Sequence, residues 1–158
     1  MYIRKRNPKK DDSALISIVL ENFEVSANRI QGVLDQSREV LIVCHDDGKI
    51  AGFICYRFKI NQLILIDYLV LDQNYQGKGI TRSLQPAFED FLVQQEIYFI
   101  YALVDEENKQ GIESLKKLGF ETVYKINSNF IIRKHLKRKV SDSLSVRRLT
   151  APRRLSNR

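Results

Sequence analysis

Two hydrophobic periods alternate along the chain and divide it into segments. Tyr2 to Arg6 reads as a short strand, interrupted by Asn7-Pro8-Lys9-Lys10. Asp11 or Asp12 is placed to cap a helix whose apolar positions, Leu15, Ile16, Ile18, Val19 and Phe23, share one side. A second helix, weaker in pattern, carries Ile30, Val33 and Leu34. Glu39 to His45 and Ile50 to Ile60 read as a hairpin around Asp47-Gly48, and Asn61-Gln62 turns into a third strand, Leu63 to Leu71. Beyond two glycines the period lengthens. Ile80, Leu84, Phe88, Phe91 and Leu92 then lie on one face of a helix. Ile97 to Val104 is nearly all apolar, which predicts a strand buried on both faces in the parallel part of a mixed sheet. Asn108 to Lys117 reads as a helix stopped by Gly119. Phe120 to Ile126 and Asn129 to Lys134 form a last pair of strands around Asn127-Ser128. The predicted order is β-α-α-β-β-β-α-β-α-β-β.

The stretch from Leu63 to Gln95 carries the clearest chemical signal. An apolar strand feeds a glycine loop that opens a helix, and such a junction cradles phosphate. Gly77 and Gly79 let the backbone approach an anion closely, and the first helical amides have no partner in the helix. The helix dipole favours negative charge at the same place. The Walker A spacing is absent, and G-x-G-x-x-G fails because position 82 is Arg. A plain glycine turn between strand and helix is the other reading of these residues.

Gln76-Gly77-Lys78-Gly79-Ile80-Thr81 resembles the Q/R-x-x-G-x-G/A signature of the GCN5-related N-acetyltransferase (GNAT) family, with Thr81 where Gly or Ala is usual. Asn108 stands where that family's Asn precedes its last helix, and Leu118-Gly119-Phe120 matches its L-G-F. The element order is also the family's. The resemblance implies an α/β (α+β) fold: a mixed, mostly antiparallel sheet of about seven strands flanked by about four helices. It implies acetyl-CoA as co-substrate and direct transfer of acetyl to a primary amine in a ternary complex. Gln76, Gly77, Lys78, Gly79, Ile80, Thr81 and Arg82 would hold the pyrophosphate. The backbone of Leu69, Val70 and Leu71 would bind the pantetheine arm and the developing oxyanion, with Asn108 assisting. Asn108 also reads simply as a helix cap.

Asp67 is the expected general base, since several GNAT members carry a carboxylate there. It is an acidic residue in an otherwise apolar strand, a setting that calls for a partner or a purpose. An Asp at a strand bulge, bonded to backbone, is the alternative. The family's usual general acid, a Tyr five residues before the Phe of L-G-F, is replaced by Leu115. Water or one of Tyr56, Tyr68 and Tyr101 would supply that proton, though each tyrosine also reads as a core aromatic. The missing Tyr raises a second reading, a non-catalytic acyl-CoA-binding module. Asp105, Glu106 and Glu107 form an acidic rim.

Composition changes this picture in one place. With 158 residues, 44% hydrophobic and 28% charged, the chain suits one soluble domain, and a cytoplasmic setting is expected. No apolar run approaches the ~20 residues of a membrane span. The net charge of +7 is uneven: residues 1–132 hold 16 Lys/Arg against 18 Asp/Glu, and residues 133–158 hold ten against Asp142. The expected division is therefore a domain over 1–135 and a basic tail over 136–158. The tail reads as solvated or as a handle for an RNA-borne or ribosomal acceptor. It has no aromatic residue for base stacking. The acceptor is expected to be a small-molecule or protein amine, and the assembly a monomer or homodimer. Cys44 and Cys55 are expected in neighbouring strands, with Val40 facing Cys55, as buried free thiols. His45 and His135 form no ligand cluster, so no metal is expected.

Overall fold

The computed structural model describes residues 1–137. The basic tail read over 136–158 lies, from 138 on, outside the described residues. The chain runs β1 (Tyr2–Lys5), α1 (Pro8–Asn22), α2 (Ala27–Gln36), β2 (Glu39–Cys44), β3 (Ile50–Ile60) and β4 (Leu63–Leu71). After a 3-10 turn (Gln73–Tyr75) come α3 (Ile80–Gln94), β5 (Phe99–Asp105), α4 (Lys109–Lys117), β6 (Glu121–Ile126) and β7 (Asn129–His135). This is the predicted order. The seven strands form one sheet, β1-β2-β3-β4-β5-β7-β6. Every neighbouring pair is antiparallel except β4 with β5. Among the described residues no helix is long and apolar enough to cross a membrane.

Each face of the sheet buries one apolar cluster. Leu15, Ile18 and Val19 of α1 and Ile30, Val33 and Leu34 of α2 pack on Val40, Ile42, Phe53, Cys55 and Val70. On the other face Phe88 and Leu92 of α3 and Ile112 of α4 pack on Ile54, Ile64, Ile66, Ile100, Val104 and Ile132. Full burial of one such side chain stabilises by about 1.5–3 kcal/mol, so the helices are held by their apolar stripes. Leu136, read as the first residue of the tail, is buried with the second cluster, and its amide bonds to the Tyr98 carbonyl at 2.7 Å. The packed domain thus extends past 135.

Three local expectations need correction. β5 is buried on one face only: Ile100, Ala102 and Val104 are covered, while Leu103 is 54% exposed. Its apolar run hides the alternation, because α1 and α2 do not pack on this part of the sheet. The hairpin turns one residue earlier than drawn. A bulge between Val43 and Cys44 sets Cys44 opposite Ile50, and His45 bonds to Lys49. Cys55 still faces Val40, and both thiols are buried and free. Asn7, not Asp11 or Asp12, bounds α1, with Pro8 at the first helical position, where its missing N–H costs nothing.

Asp11 closes the helix start from within. It is 2% exposed and accepts two bonds from the Arg4 guanidinium, both 2.8 Å, and one from the Asn7 amide at 2.6 Å. Arg4 holds its carboxyl below the ordinary carboxylate range, and Arg6 does the same to Asp12. A carboxyl with a depressed folded pKa stabilises the fold above its unfolded value of about 3.9; this contribution fades as pH falls through the folded value. Stability followed by denaturant unfolding is therefore expected to drop as pH falls below about 4. Asp11→Asn should lower stability at pH 7 by about 1–3 kcal/mol and flatten that acid slope.

Candidate active site where β4 parts from β5

β4 and β5 share only four register pairs, Leu63 with Phe99 through Ile66 with Ala102. Beyond them β4 stays with β3 as far as Leu71 opposite Gly52. β5 stays with β7 as far as Asp105 opposite Asn129. The two strands therefore splay, and their facing edges have no strand partner from Asp67 and Leu103 onward. At the same level β3 is irregular. Its register with β4 passes from Cys55–Tyr68 to Tyr56–Ile66 to Phe58–Leu65, which leaves Asp67 and Arg57 outside the ladder. Bulges bend a strand and increase its twist. The Asp67 carboxylate fills the gap by accepting the Arg57 amide at 2.8 Å and Nε and Nη2 of Arg57 at 3.0 and 2.7 Å.

The cradle follows directly from β4. Gln76 donates from Nε2 to Asn22 Oδ1 at 2.7 Å and to the Leu71 carbonyl at 2.9 Å, which ties the loop to α1 and to the strand end. Its own amide is spent on Gln73. Gly77 and Gly79 have φ of +70° and +71°, and a Cβ on either would meet nothing within 4 Å. Glycine is needed there for the left-handed backbone rather than for room. Among the described residues, no group accepts from the amides of Gly77, Lys78, Gly79, Ile80, Thr81 or Arg82. The first turn of α3 contains no acidic residue. Open amides at a helix head are the groups that an anion can use.

Asn108 caps α4, its Oδ1 accepting from the Gly111 amide at 2.9 Å. Leu115 is partly buried against the apolar core and supplies no proton donor. An apolar slot between β4 and α3 is lined by Ile66, Leu69, Leu71, Thr81, Leu84 and Phe120. On the opposite side of β4 lies a polar cleft, formed by Asn28, Arg29, Gly32, Val33 and Gln36 of α2 with Arg57, Asp67 and Tyr68. Slot and cleft both border β4, where Tyr68 of the cleft precedes Leu69 of the slot. The Tyr68 ring packs near Phe23 and Phe53, at 5.9 and 6.2 Å between centroids. Burial pushes its phenol above the ordinary value, against a smaller downward pull from Arg29. Tyr101 lies elsewhere. It sits opposite Leu65 and Arg133, and its hydroxyl interacts with the Arg133 side chain. Tyr56 is buried in the α3 core.

The sequence matches the acetyltransferase (GNAT) family over residues 11–120. The chain belongs to this family. It is 30% identical over 108 residues to spermidine N(1)-acetyltransferase of Escherichia coli K12, covering 62% of this chain and 53% of that protein. The chain thus spans about half the length of the curated relatives it matches. Its fold superposes on the ribosomal-protein-S18-alanine N-acetyltransferase of Escherichia coli with a TM-score of 0.69 at 18% identity, covering 85% of this chain and 93% of the other. PaiA N-acetyltransferase of Thermoplasma acidophilum, solved in complex with coenzyme A, gives 0.67 at 20% identity, covering 85% and 98%.

Four residues that shape this GNAT site carry no motif. Asn22 anchors Gln76. Arg57 is clamped by Asp67. Gly111 leaves room for Asn108, since a Cβ there would lie 2.5 Å from Asn108 Nδ2. Gly52 matters most: a Cβ there would lie 2.4 Å from the Val70 carbonyl oxygen and 2.9 Å from Leu71 Cα. A glycine inside an apolar strand does signal close backbone approach, but not to which neighbour. Gly52→Ala is expected to push the Val70–Leu71 edge out of place. Coenzyme A binding by calorimetry should weaken about tenfold or more, as displaced positioning groups generally cost.

Proposed function

We propose that this chain is an N-acetyltransferase that moves an acetyl group from acetyl-CoA to a primary amine by direct attack in a ternary complex. The observation that carries this reading is the run of six open amides from Gly77 to Arg82, set at the end of a strand edge that has lost its partner. In this reading the amides bind the pyrophosphate, with Lys78 and Arg82 adding positive charge. The pantetheine arm pairs with the free edge of Leu69, Val70 and Leu71 beside the apolar slot. One amide of that edge holds the oxyanion as the amine nitrogen bonds to the thioester carbon. Asn108 would reach the arm with its amide nitrogen, since Oδ1 is used in the cap.

The amine enters through the polar cleft. A carboxylate offers about four acceptor positions, and Arg57 occupies three of those of Asp67. Asp67 would take the ammonium proton through the remaining one, directly or by way of a water. When the carbon–sulfur bond breaks, the leaving thiolate needs a proton. A thiol of pKa about 8.5 leaves as thiolate at pH 7 at a cost of only ~2 kcal/mol, so a modest donor suffices. Tyr68 fits that role better than Tyr101, because it lines the cleft next to Leu69, and a phenol is protonated at neutral pH. The match to a spermidine N(1)-acetyltransferase supports an amine acceptor.

Leu115 favours one other reading, a module that binds acyl-CoA without turnover. Acetyl-CoA is expected to raise the melting temperature, and Gly79→Asp to abolish the rise; an unchanged curve at saturating ligand refutes the donor site. Thiol release with any amine in a broad panel excludes the non-catalytic module. Tyr68→Phe is expected to lower kcat by about 30-fold, the rate equivalent of that ~2 kcal/mol, with little change in KM for acetyl-CoA. Full turnover in Asp67→Asn would put the base elsewhere.

A further inference from the structure

The charge of the acceptor cleft restricts what can enter it. Arg29, Arg57 and Asp67 are the charged residues among its lining. Arg57 and Asp67 neutralise one another through the three bonds of the bulge, and Arg57 Nη1 also points to Gln36 Oε1 at 3.5 Å. Arg29 is left over. Among the described residues its guanidinium has no acceptor, and only its main-chain amide is engaged, with Ser26 Oγ at 3.3 Å. It lines the same cleft as Tyr68, the proposed proton donor. The cleft therefore holds one uncompensated positive charge in the form of a planar donor fork.

We infer that the amine accepted here carries an oxyanion, a carboxylate or a phosphate group, near its reacting nitrogen, and that Arg29 binds that group. This rests on the transferase reading of the same cleft. A guanidinium matches a carboxylate or phosphate with two parallel bonds, which fixes orientation as well as charge. Asn28 and Gln36 add neutral polar groups beside it. A polyamine would bring two or more positive charges to a wall whose single carboxylate is already held by Arg57. The acidic residues after β5 do not offset this. Glu106 pairs with Lys125, the Asp105 carboxylate accepts from the Glu107 amide at 2.8 Å, and none of the three lines the cleft. In this respect the chain departs from the polyamine substrate in the name of its spermidine-acetylating relative.

The test pairs amines that differ only in the anion, using the full chain and acetyl-CoA, with thiol release as readout. Tyrosine is set against tyramine, and phosphoethanolamine against ethanolamine, with spermidine alongside. We expect the anionic member of at least one pair to have kcat/KM about tenfold or more above its partner and above spermidine, the factor a charge-assisted fork commonly provides. The pair that responds separates carboxylate from phosphate. Arg29→Gln should shrink the ratio mainly through KM, and Arg29→Glu should turn it toward spermidine. Absence of an anionic preference in both pairs, or preference of the wild type for spermidine over every anionic amine, overturns the inference, as does a ratio unchanged in Arg29→Glu. If acetyl-CoA binds but no amine is acetylated, the transferase reading fails separately. The oxyanion site is then read by calorimetry with N-acetyltyrosine and N-acetyltyramine: tighter binding of the former that Arg29→Glu removes supports it, and equal binding overturns it.

Discussion

A main-chain hydrogen-bond ladder that stops in the middle of a sheet leaves donors and acceptors exposed, and such groups are costly unless something else takes them. This chain ends the β4–β5 ladder after four pairs, beside an ion pair that joins β4 to β3. Asp67 and Arg57 both fall outside the β3–β4 register, and the carboxylate takes the amide that the bulge would otherwise strand. The same pair thus serves the local backbone at the level where β4 and β5 part. The sheet remains continuous on the β3 side, so the opening is rigid on one wall.

The other wall and the floor are coupled to it by short links. Gln76 connects the glycine loop to the Leu71 carbonyl and to α1 through Asn22. Asn22 in turn bonds back to Ile18 and Leu71. Gly52 lets β3 press against Val70 and Leu71. The anion cradle and the strand edge are therefore fixed relative to one another by side chains distant in sequence. A ligand that spans both finds a preformed shape, and little ordering cost falls on binding.

Much of this was legible in the sequence, and the reason is local. The periods of β4 and α3, the paired glycines and the Asn108 to Phe120 segment each depend on neighbours within a turn or a strand. They predicted the element order and the strand–glycine–helix junction. The misreadings all involve partners that only the tertiary fold supplies. The apolar run at 97–104 cannot reveal that α1 and α2 leave one face of β5 uncovered. Asp11 and Asp12 both look like caps until Arg4 of β1 and Arg6 just beyond it arrive. Asp67 was legible as an anomaly, with a bulge among its readings, but its partner Arg57 was not. The cleft of Arg29 and Tyr68 is formed across α2 and β4, and no spacing in the chain announces it.

The burial of the two sulfurs has a practical side. Cys44 and Cys55 are both 0% exposed, and burial raises the Cys55 thiol to about 12. Cys55 lies opposite Tyr68 on β3, beneath the floor of the cleft. Thiolate, not thiol, reacts with aromatic disulfide dyes. A dye that colours with liberated coenzyme A would meet no competing sulfur on the folded chain, so any coenzyme A released would register without background. A later, slower rise equal to two sulfurs per chain would mark collapse of the fold, and one cuvette would record both events.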